Sequence, residues 1–310
     1  MKNLYGWISL FLSLCLLLFP LIPGRKAEAV AVVGTEVKSD AVTFRFKEKD
    51  SEEIREISAE EYLLGVVSAE MPASFHLEAL KAQAVAAYTF ALWRKNENKN
   101  EKYDITGDST LDQAFINEEG RRKKWGDKCE EYTDKIKSAI NSVLGQTVTY
   151  NGKIAQTLYT AISGGKTEAA ENVWSKGYPY LVPVESVGDL LSPNYLSTAT
   201  FSSEEIIKKL PEIEKVKVES WFSSPVYSDS GTVMTMKFGS VSLTGKQIRY
   251  ALGLKSANFD VSAKNDTFTF TVRGYGHGVG MSQYGADYMA KQGSSYKEIL
   301  EWYYKGCKVV

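Results

Sequence analysis

The sequence predicts an α+β protein: a membrane-associated N-terminal segment, then one irregular exported domain of helices packed with antiparallel strands and hairpins. Apolar residues recur at helical spacing between residues 59 and 143. After Gly145 the pattern changes to the two-residue alternation of strands. With 310 residues, 44% of them hydrophobic and 24% charged, the chain can bury a sizeable core.

The N-terminal segment, residues 1–29, differs from the rest of the chain. Residues 4–22 carry no charge, and this length favours a retained membrane anchor over the shorter apolar region of a cleaved signal peptide. The run Ala27-Glu28-Ala29 fits a cleavage site, so a cleaved signal remains the alternative. Residues 30–310 are therefore expected outside the cytoplasm, on a single-pass cell-membrane protein or on a secreted one.

Charge and cysteine content exclude several classes of protein. The net charge is -1, with 37 basic and 38 acidic residues, so nothing favours a nucleic-acid partner. Two histidines, with no HExxH or CxxC spacing, predict no metal and no cofactor. Cys129 and Cys307 allow one disulfide or two free thiols, and spacing alone does not decide between them.

Three helices are predicted in the first half of the exported part. Ser58 and Glu61 form a capping-box pattern that starts the first, and Pro72 ends it at Glu70 or Met71. An alanine-rich helix follows over residues 77–93. A third covers residues 132–143 and stops at Gly145.

The second half is predicted to be mainly strands. Residues 146–150 and 153–162 flank Asn151-Gly152, the strongest short hairpin signal. No repeat or low-complexity linker divides residues 30–310, which predicts one domain with a possible peripheral lobe at 192–257. The remaining predicted elements are a strand pair within 232–243, a helix capped by Thr244 and ending near Ala251, a hairpin over 259–273, and short helices from about Met281 and Ser295.

Glu70 is the strongest catalytic candidate. It follows Leu63, Val66 and Val67 on one helical face, so an acid interrupts an apolar stripe. Partial burial and the negative end of the helix dipole both raise a carboxyl pKa, and a carboxyl kept neutral near pH 7 suits general-acid catalysis. The alternative is a solvated residue at a helix end.

Two glycine-rich segments are candidate ligand sites. The run Ser163-Gly164-Gly165-Lys166-Thr167 follows a strand, where backbone N–H groups before a helix can bind an acetamido oxygen or a carboxylate. A plain turn is the alternative. In the second segment, residues 274–280, four glycines surround His277, which either faces a ligand or serves a structural role.

Four sequence blocks, taken together, resemble the signatures of the stage II sporulation protein D family. The resemblance extends over residues 57–304 and is weakest over 192–229. The blocks occur in the family's order: Ala69-Glu70-Met71-Pro72 at the end of residues 60–72, Lys81-Ala82-Gln83-Ala84 within 80–87, Ser163-Gly164-Gly165-Lys166-Thr167-Glu168, and Gly276-His277-Gly278-Val279-Gly280-Met281-Ser282-Gln283.

This resemblance implies a lytic transglycosylase. Such an enzyme cuts the bond between N-acetylmuramic acid and N-acetylglucosamine in peptide-stripped glycan strands, leaving a 1,6-anhydro product. Glu70 would be the acid that protonates the leaving oxygen. The resemblance implies these substrate-binding residues: Lys81, Tyr88, Ser163, Gly164, Gly165, Lys166, Thr167, His277, Ser282 and Gln283.

Two departures from the family pattern affect this expectation. Tyr88 stands where relatives commonly have arginine, so a cation near the groove is missing unless Arg94 replaces it. Some members bind zinc after the second helix, but residues 106–112 offer no thiol or imidazole, so that metal is not expected.

The resemblance also implies partners. They are the peptidoglycan glycan strands, a sporulation peptidoglycan amidase and a small engulfment membrane protein, met during forespore engulfment. Two other functions stay open: a non-catalytic glycan-binding amidase enhancer, and a structural assembly factor of the engulfment complex.

Overall fold

The fold is described from a computed structural model that covers residues 42–49, 53–174, 176–210, 221–239 and 241–310. Within this part of the chain, no helix combines the length and the apolar composition that a transmembrane span requires. The predicted anchor, residues 1–29, lies outside the described residues.

The described residues form a mixture of helices and mostly antiparallel strands, which confirms the α+β prediction. Short 3₁₀ turns occur at Gly126–Lys128 and Val187–Leu191. The helices are α1 (Ala59–Glu70), α2 (Leu77–Glu97), α3 (Glu118–Trp125), α4 (Cys129–Asn141), α5 (Ala170–Trp174), α6 (Ser203–Lys209), α7 (Gly245–Leu252), α8 (Gln283–Lys291) and α9 (Tyr296–Tyr303). The strands are β1 (Thr43–Lys47), β2 (Ile54–Ser58), β3 (Ile105–Thr106), β4 (Val148–Tyr150), β5 (Lys153–Ile154), β6 (Tyr159–Thr160), β7 (Leu196–Ser202), β8 (Ser223–Tyr227), β9 (Val233–Phe238), β10 (Val241–Leu243), β11 (Phe259–Lys264), β12 (Thr267–Arg273), β13 (Met281–Ser282) and β14 (Lys308–Val309).

Helix α1 begins and ends where the sequence predicts. The Ser58 side chain accepts a hydrogen bond from the Glu61 N–H, and Met71 is extended before Pro72. Only half of the predicted capping box forms, because the Glu61 carboxylate pairs with Arg55 instead of returning to Ser58. The end of this helix is therefore set locally, and Glu70 is its last residue.

Helix α2 is the centre of the main hydrophobic core. Its alanines are buried, and it packs against α1, α4, α8 and α9, because small side chains allow helices to approach closely. It continues four residues beyond the predicted end. Helix α3 was not predicted, since its sequence EEGRRKKW has no apolar stripe to reveal it.

The predicted hairpin at Asn151-Gly152 is confirmed, with both residues at positive φ (49° and 74°). The predicted long strand over 153–162 is wrong. Strand β5 ends at Ile154, and β6 pairs in parallel with β13. The chain leaves the hairpin between them because the Thr157 hydroxyl donates to the carbonyl of Ala86 on α2.

A second hydrophobic cluster extends from Ile206 to Val272. It joins the sheets β11-β12-β7 and β10-β9-β8 with α6 and α7. The predicted strand pair, the capped helix and the hairpin over 259–273 are all present here. The cluster includes the hairpin 259–273, beyond the predicted lobe of 192–257, and the division into a lobe stays a prediction.

Candidate functional site

An open cleft of about 640 Å³ contains Glu70. One wall comes from the second half of α2 and the other from loops around β3, β6 and α5. Its lining mixes aromatic and polar groups, as in sites for polar organic ligands. The lining residues are Glu70, Phe90, Trp93, Arg94, Glu97, Ser109, Thr110, Leu111, Asp112, Gln113, Gln156, Thr157, Leu158, Tyr159, Thr160, Ala161, Trp174, Lys176, Tyr178, Gly276 and His277.

The Glu70 carboxyl group is half-buried at the floor of this cleft. Its Oε1 accepts a hydrogen bond of 2.9 Å from the Ala114 N–H. Burial raises the pKa of Glu70, although the Ala114 bond and the charge of Lys124 act in the opposite direction. The environment thus favours a carboxylic acid that keeps its proton to higher pH than a solvated glutamate does.

Two tyrosines near Glu70 are joined through Gln113. The Tyr62 hydroxyl donates to Gln113 Oε1 over 2.8 Å, and Gln113 Nε2 donates to the Tyr159 hydroxyl over 2.7 Å. Burial and the negative charge of Glu70 raise both phenol pKa values well above the ordinary value. Tyr159 stays protonated, and its O–H is a hydrogen-bond donor in the cleft wall.

Arg94 and Asp112 form an ion pair in the cleft, with 2.5 Å between Nε and Oδ1. The Asp112 side chain is fully buried, and its Oδ2 accepts the Thr106 N–H over 2.9 Å. Burial raises the pKa of Asp112. A cation from α2 therefore reaches the cleft although position 88 is a tyrosine.

His277 forms part of the wall opposite α2. Its Nδ1 accepts the Val279 N–H over 3.0 Å, and a further hydrogen bond joins the ring to the Tyr159 backbone. Burial, together with the charges of Arg249 and Lys246, lowers its pKa to about 4. Trp174 packs edge-on against the imidazole at 4.8 Å. His277 is therefore a neutral part of the wall with both nitrogens in use.

The run Ser163-Gly164-Gly165-Lys166-Thr167 does not line the cleft and does not start a helix. The Ser163 N–H and hydroxyl both donate to Asp189 Oδ2, and the Thr167 hydroxyl accepts the N–H of Val184. Part of the run lines a separate polar pocket of about 20 Å³, which shares His277 with the cleft. The structure thus does not bring this run together with Glu70.

Lys81 and Tyr88 also lie away from the cleft lining. The Lys81 ammonium binds Glu78 Oε1 at 2.8 Å, while Oε2 of the same carboxylate accepts the Tyr296 N–H. Tyr88 is buried in the main core beside Phe44. Neither side chain lines the cleft that contains Glu70, and their assignment to substrate binding stays a prediction.

Ser282 and Gln283 are buried at the start of α8. The Ser282 hydroxyl donates to Asp189 Oδ1 over 2.5 Å, and its oxygen caps the helix. Gln283 Nε2 donates to Gln83 Oε1 over 3.3 Å. Both residues connect elements of the fold, and neither lines the cleft.

Sequence reasoning missed most of the cleft wall, including Asp112, Gln113, Tyr159 and Trp174. Asp112 and Gln113 lie in a loop, Tyr159 in the two-residue strand β6 and Trp174 at the end of the five-residue helix α5, and such short segments show no periodicity. The sequence signal that could have indicated this wall was a tryptophan or tyrosine beside polar residues in such segments. Among the described residues, no cluster of three or more His, Cys, Asp or Glu side chains has a metal-binding arrangement.

The fold and the site together define a class: an α+β protein with a polar, aromatic-lined cleft built around one half-buried carboxyl group. The stage II sporulation protein (SpoIID) family model matches residues 47–150. The chain is 38% identical over 281 residues to the stage II sporulation protein D of Bacillus subtilis (strain 168), which spans 88% of this chain and 80% of that protein. It is 36% identical over 276 residues to the stage II sporulation protein D of Bacillus amyloliquefaciens, and this match covers 88% of this chain and 80% of that protein.

A more distant relative is the amidase enhancer of Bacillus subtilis (strain 168), 28% identical over 302 residues, or 79% of this chain and 39% of that protein. The similarity to the two sporulation proteins extends over most of both chains. This chain therefore belongs to the stage II sporulation protein D family.

Proposed function

We propose that this protein is a lytic transglycosylase of peptidoglycan that acts in forespore engulfment. The substrate is the bond between N-acetylmuramic acid and N-acetylglucosamine in strands freed of their peptides. The observation that carries the proposal is Glu70, a carboxyl group with a raised pKa at the floor of an aromatic-lined cleft.

Glu70 serves both steps of the proposed reaction. Its protonated form gives the proton to the glycosidic oxygen as the bond from that oxygen to C1 of the muramic acid breaks. The resulting carboxylate takes the proton of the C6 hydroxyl while that oxygen bonds to C1. This closes the 1,6-anhydro ring and returns Glu70 to its acid form, with no water consumed.

One carboxyl group is sufficient for this chemistry. Hydrolysing glycosidases use two, because the second must activate water or form a covalent intermediate. Asp112, the other carboxylate deep in the cleft, is paired with Arg94 and has no proton-transfer role in this scheme. The Tyr159 hydroxyl is positioned in the wall to donate to a sugar oxygen.

The test is product analysis by mass spectrometry after incubation of the full chain with amidase-treated peptidoglycan. We expect 1,6-anhydromuramyl ends from the wild type and none from Glu70→Gln. Glu97→Gln is a matched control, because Glu97 is an exposed acid on the same cleft. Undiminished product from Glu70→Gln would refute the assignment.

A non-catalytic role as an amidase enhancer is the second candidate, favoured by the 28% identity to the Bacillus subtilis amidase enhancer. In that role the cleft would bind stripped glycan without cutting it, and a peptidoglycan amidase would be faster in its presence. Retention on glycan with no anhydro product, combined with unchanged amidase stimulation by Glu70→Gln, would support it.

The proposal extends to location and partners. Residues 1–29 anchor the chain in the cell membrane, with residues 30–310 outside the cytoplasm beside a sporulation amidase and a small engulfment membrane protein. Secretion after cleavage of the segment is the alternative. The mass of the protein recovered from membranes and from the medium distinguishes the two.

A further inference from the structure

Three cations lie at or beside the His277 end of the cleft: Lys176 belongs to the lining, while Lys246 and Arg249 lie outside it. Lys176 lines the cleft between Trp174 and Tyr178. Lys246 Nζ donates to the Val173 carbonyl over 3.3 Å, so α7 reaches the residue that precedes Trp174. Arg249 follows Lys246 by three positions, on the same surface of α7.

None of the three forms an ion pair with a carboxylate of the described residues. Lys176 lies 5.2 Å from the centre of the Tyr178 ring, and Arg249 Nε donates to the Leu254 carbonyl over 3.4 Å. The nearby Glu171 carboxylate lies against Gly177 and forms no ion pair with Lys176. Most of the donor groups of these cations therefore remain available.

The grouping produces a positive field beside the ligand cleft. The charges of Arg249 and Lys246 add to burial in lowering the pKa of His277, and the bond from Lys246 to Val173 places α7 next to Trp174 of this wall. Like charges held together without partners repel each other, and a bound anion removes that repulsion. The floor and the α2 wall, by contrast, carry Glu70, Glu97 and the neutralised Arg94–Asp112 pair.

The proposed substrate changes charge when it loses its peptides. The lactyl group of N-acetylmuramic acid is an uncharged amide while a peptide is attached and a free carboxylate afterwards. We propose that Lys176, Lys246 and Arg249 form a subsite for this lactyl carboxylate, so that the cleft selects stripped strands. The inference rests on the proposed function, since it takes the ligand to be a peptidoglycan strand.

The test compares two forms of one soluble glycan fragment. Stripped fragments keep their carboxylates, and coupling with methylamine converts these groups to neutral amides. We expect the full chain carrying Glu70→Gln to bind the carboxylate form about tenfold more tightly, because a charge-assisted hydrogen bond contributes this much. Isothermal titration calorimetry measures both dissociation constants.

Substitutions assign the effect to the three cations. Lys246→Gln is expected to weaken binding of the carboxylate form several-fold and leave the amidated form unchanged. Arg249→Lys keeps the charge and should keep most of the preference. Lys264→Gln is the matched control, an exposed lysine at the end of β11 outside the cleft lining, and should change neither constant. Equal melting temperatures of the variants show that the fold is intact.

Two outcomes overturn the inference, and a third supports it while refuting the proposed function. Equal binding of the two fragments by the Glu70→Gln chain would refute it, and anhydro product from the wild type would then still support the proposed function. Polyglycerol phosphate could displace the fragment from the Glu70→Gln chain but not from a chain that also carries Lys246→Gln. That result would identify a phosphate polymer as the ligand instead. A carboxylate preference without any anhydro product would support the subsite while refuting the enzyme.

Discussion

The Glu70 carboxylate and the Ala114 backbone N–H are joined by a hydrogen bond of 2.9 Å. This bond connects the end of α1 to the loop that carries Asp112 and Gln113. The same loop is held to α1 at a second point, where the Ile116 N–H donates to the Gly65 carbonyl over 3.2 Å. The acid and the polar groups around it therefore depend on how closely this loop packs against α1.

Gly65→Ala should disrupt that packing. A Cβ atom at Gly65 would lie 2.0 Å from Cε2 of Phe115, so the ring and its loop must move. We expect a loss of about 1–3 kcal/mol in the free energy of unfolding, as for other overpacked sites, and lower activity. Urea unfolding measures the loss. In a Phe115→Leu background the same substitution should cost less, and an equal cost would contradict the steric explanation.

Glu70→Gln should stabilise the fold at higher pH. Since burial raises the pKa of Glu70, the folded state holds this proton more tightly than the unfolded state. In the wild type, Glu70 therefore contributes stability below the pKa that it has in the unfolded chain. This contribution is lost as the pH rises through the pKa that Glu70 has in the folded protein. The melting temperature of Glu70→Gln relative to wild type should therefore rise from pH 4 to pH 8. A constant difference would show that burial does not disfavour the charged form.

Arg94→Gln should destabilise the fold by leaving the Asp112 carboxylate unpaired. We expect a loss of about 3 kcal/mol near pH 7, at the low end for a broken buried pair, because Arg94 is partly exposed. Loss of the cation raises the pKa of Asp112 further. The loss of stability relative to wild type should therefore become smaller towards acid pH. Addition of Asp112→Asn should restore part of the stability, and no recovery would contradict the pairing.

Asp189→Asn should weaken the connection between the Ser163 loop and the start of α8. One carboxylate accepts from Ser163 and from Ser282, and an amide replaces one of its acceptor oxygens with a donor. We expect a loss of about 1–3 kcal/mol in urea unfolding. Asp229→Asn, at an exposed acid, is the control and should have little effect. Equal stability of both variants would contradict the role given to Asp189.

Cys129 and Cys307 should react with iodoacetamide only after unfolding. Both thiols are free and buried, and burial raises the pKa of Cys307 to about 12, so little thiolate forms at pH 8. A Cys15→Ser chain removes the third thiol from the count. Mass spectrometry should show two added groups in urea without reductant and almost none in buffer. A requirement for reductant would indicate a disulfide.

Local sequence signals determined the elements that depend on neighbouring residues. Pro72 ends α1 at Glu70 because the residue before a proline avoids helical geometry, and Asn151-Gly152 makes its turn because both residues accept positive φ. The motif blocks, compared with a known family, indicated the membership that the similarity to the Bacillus proteins establishes.

Only the tertiary structure decided which groups surround Glu70. Ala114 donates to it from a loop, and Tyr159, in the two-residue strand β6, lines the same cleft. Lys81 instead is paired with Glu78, and the Ser163 run is held by Asp189. Periodicity reports which face of an element is buried, but not which other segment packs on it. That choice depends on shape, such as the space Gly65 leaves for Phe115, and on hydrogen-bond partners far apart in the chain.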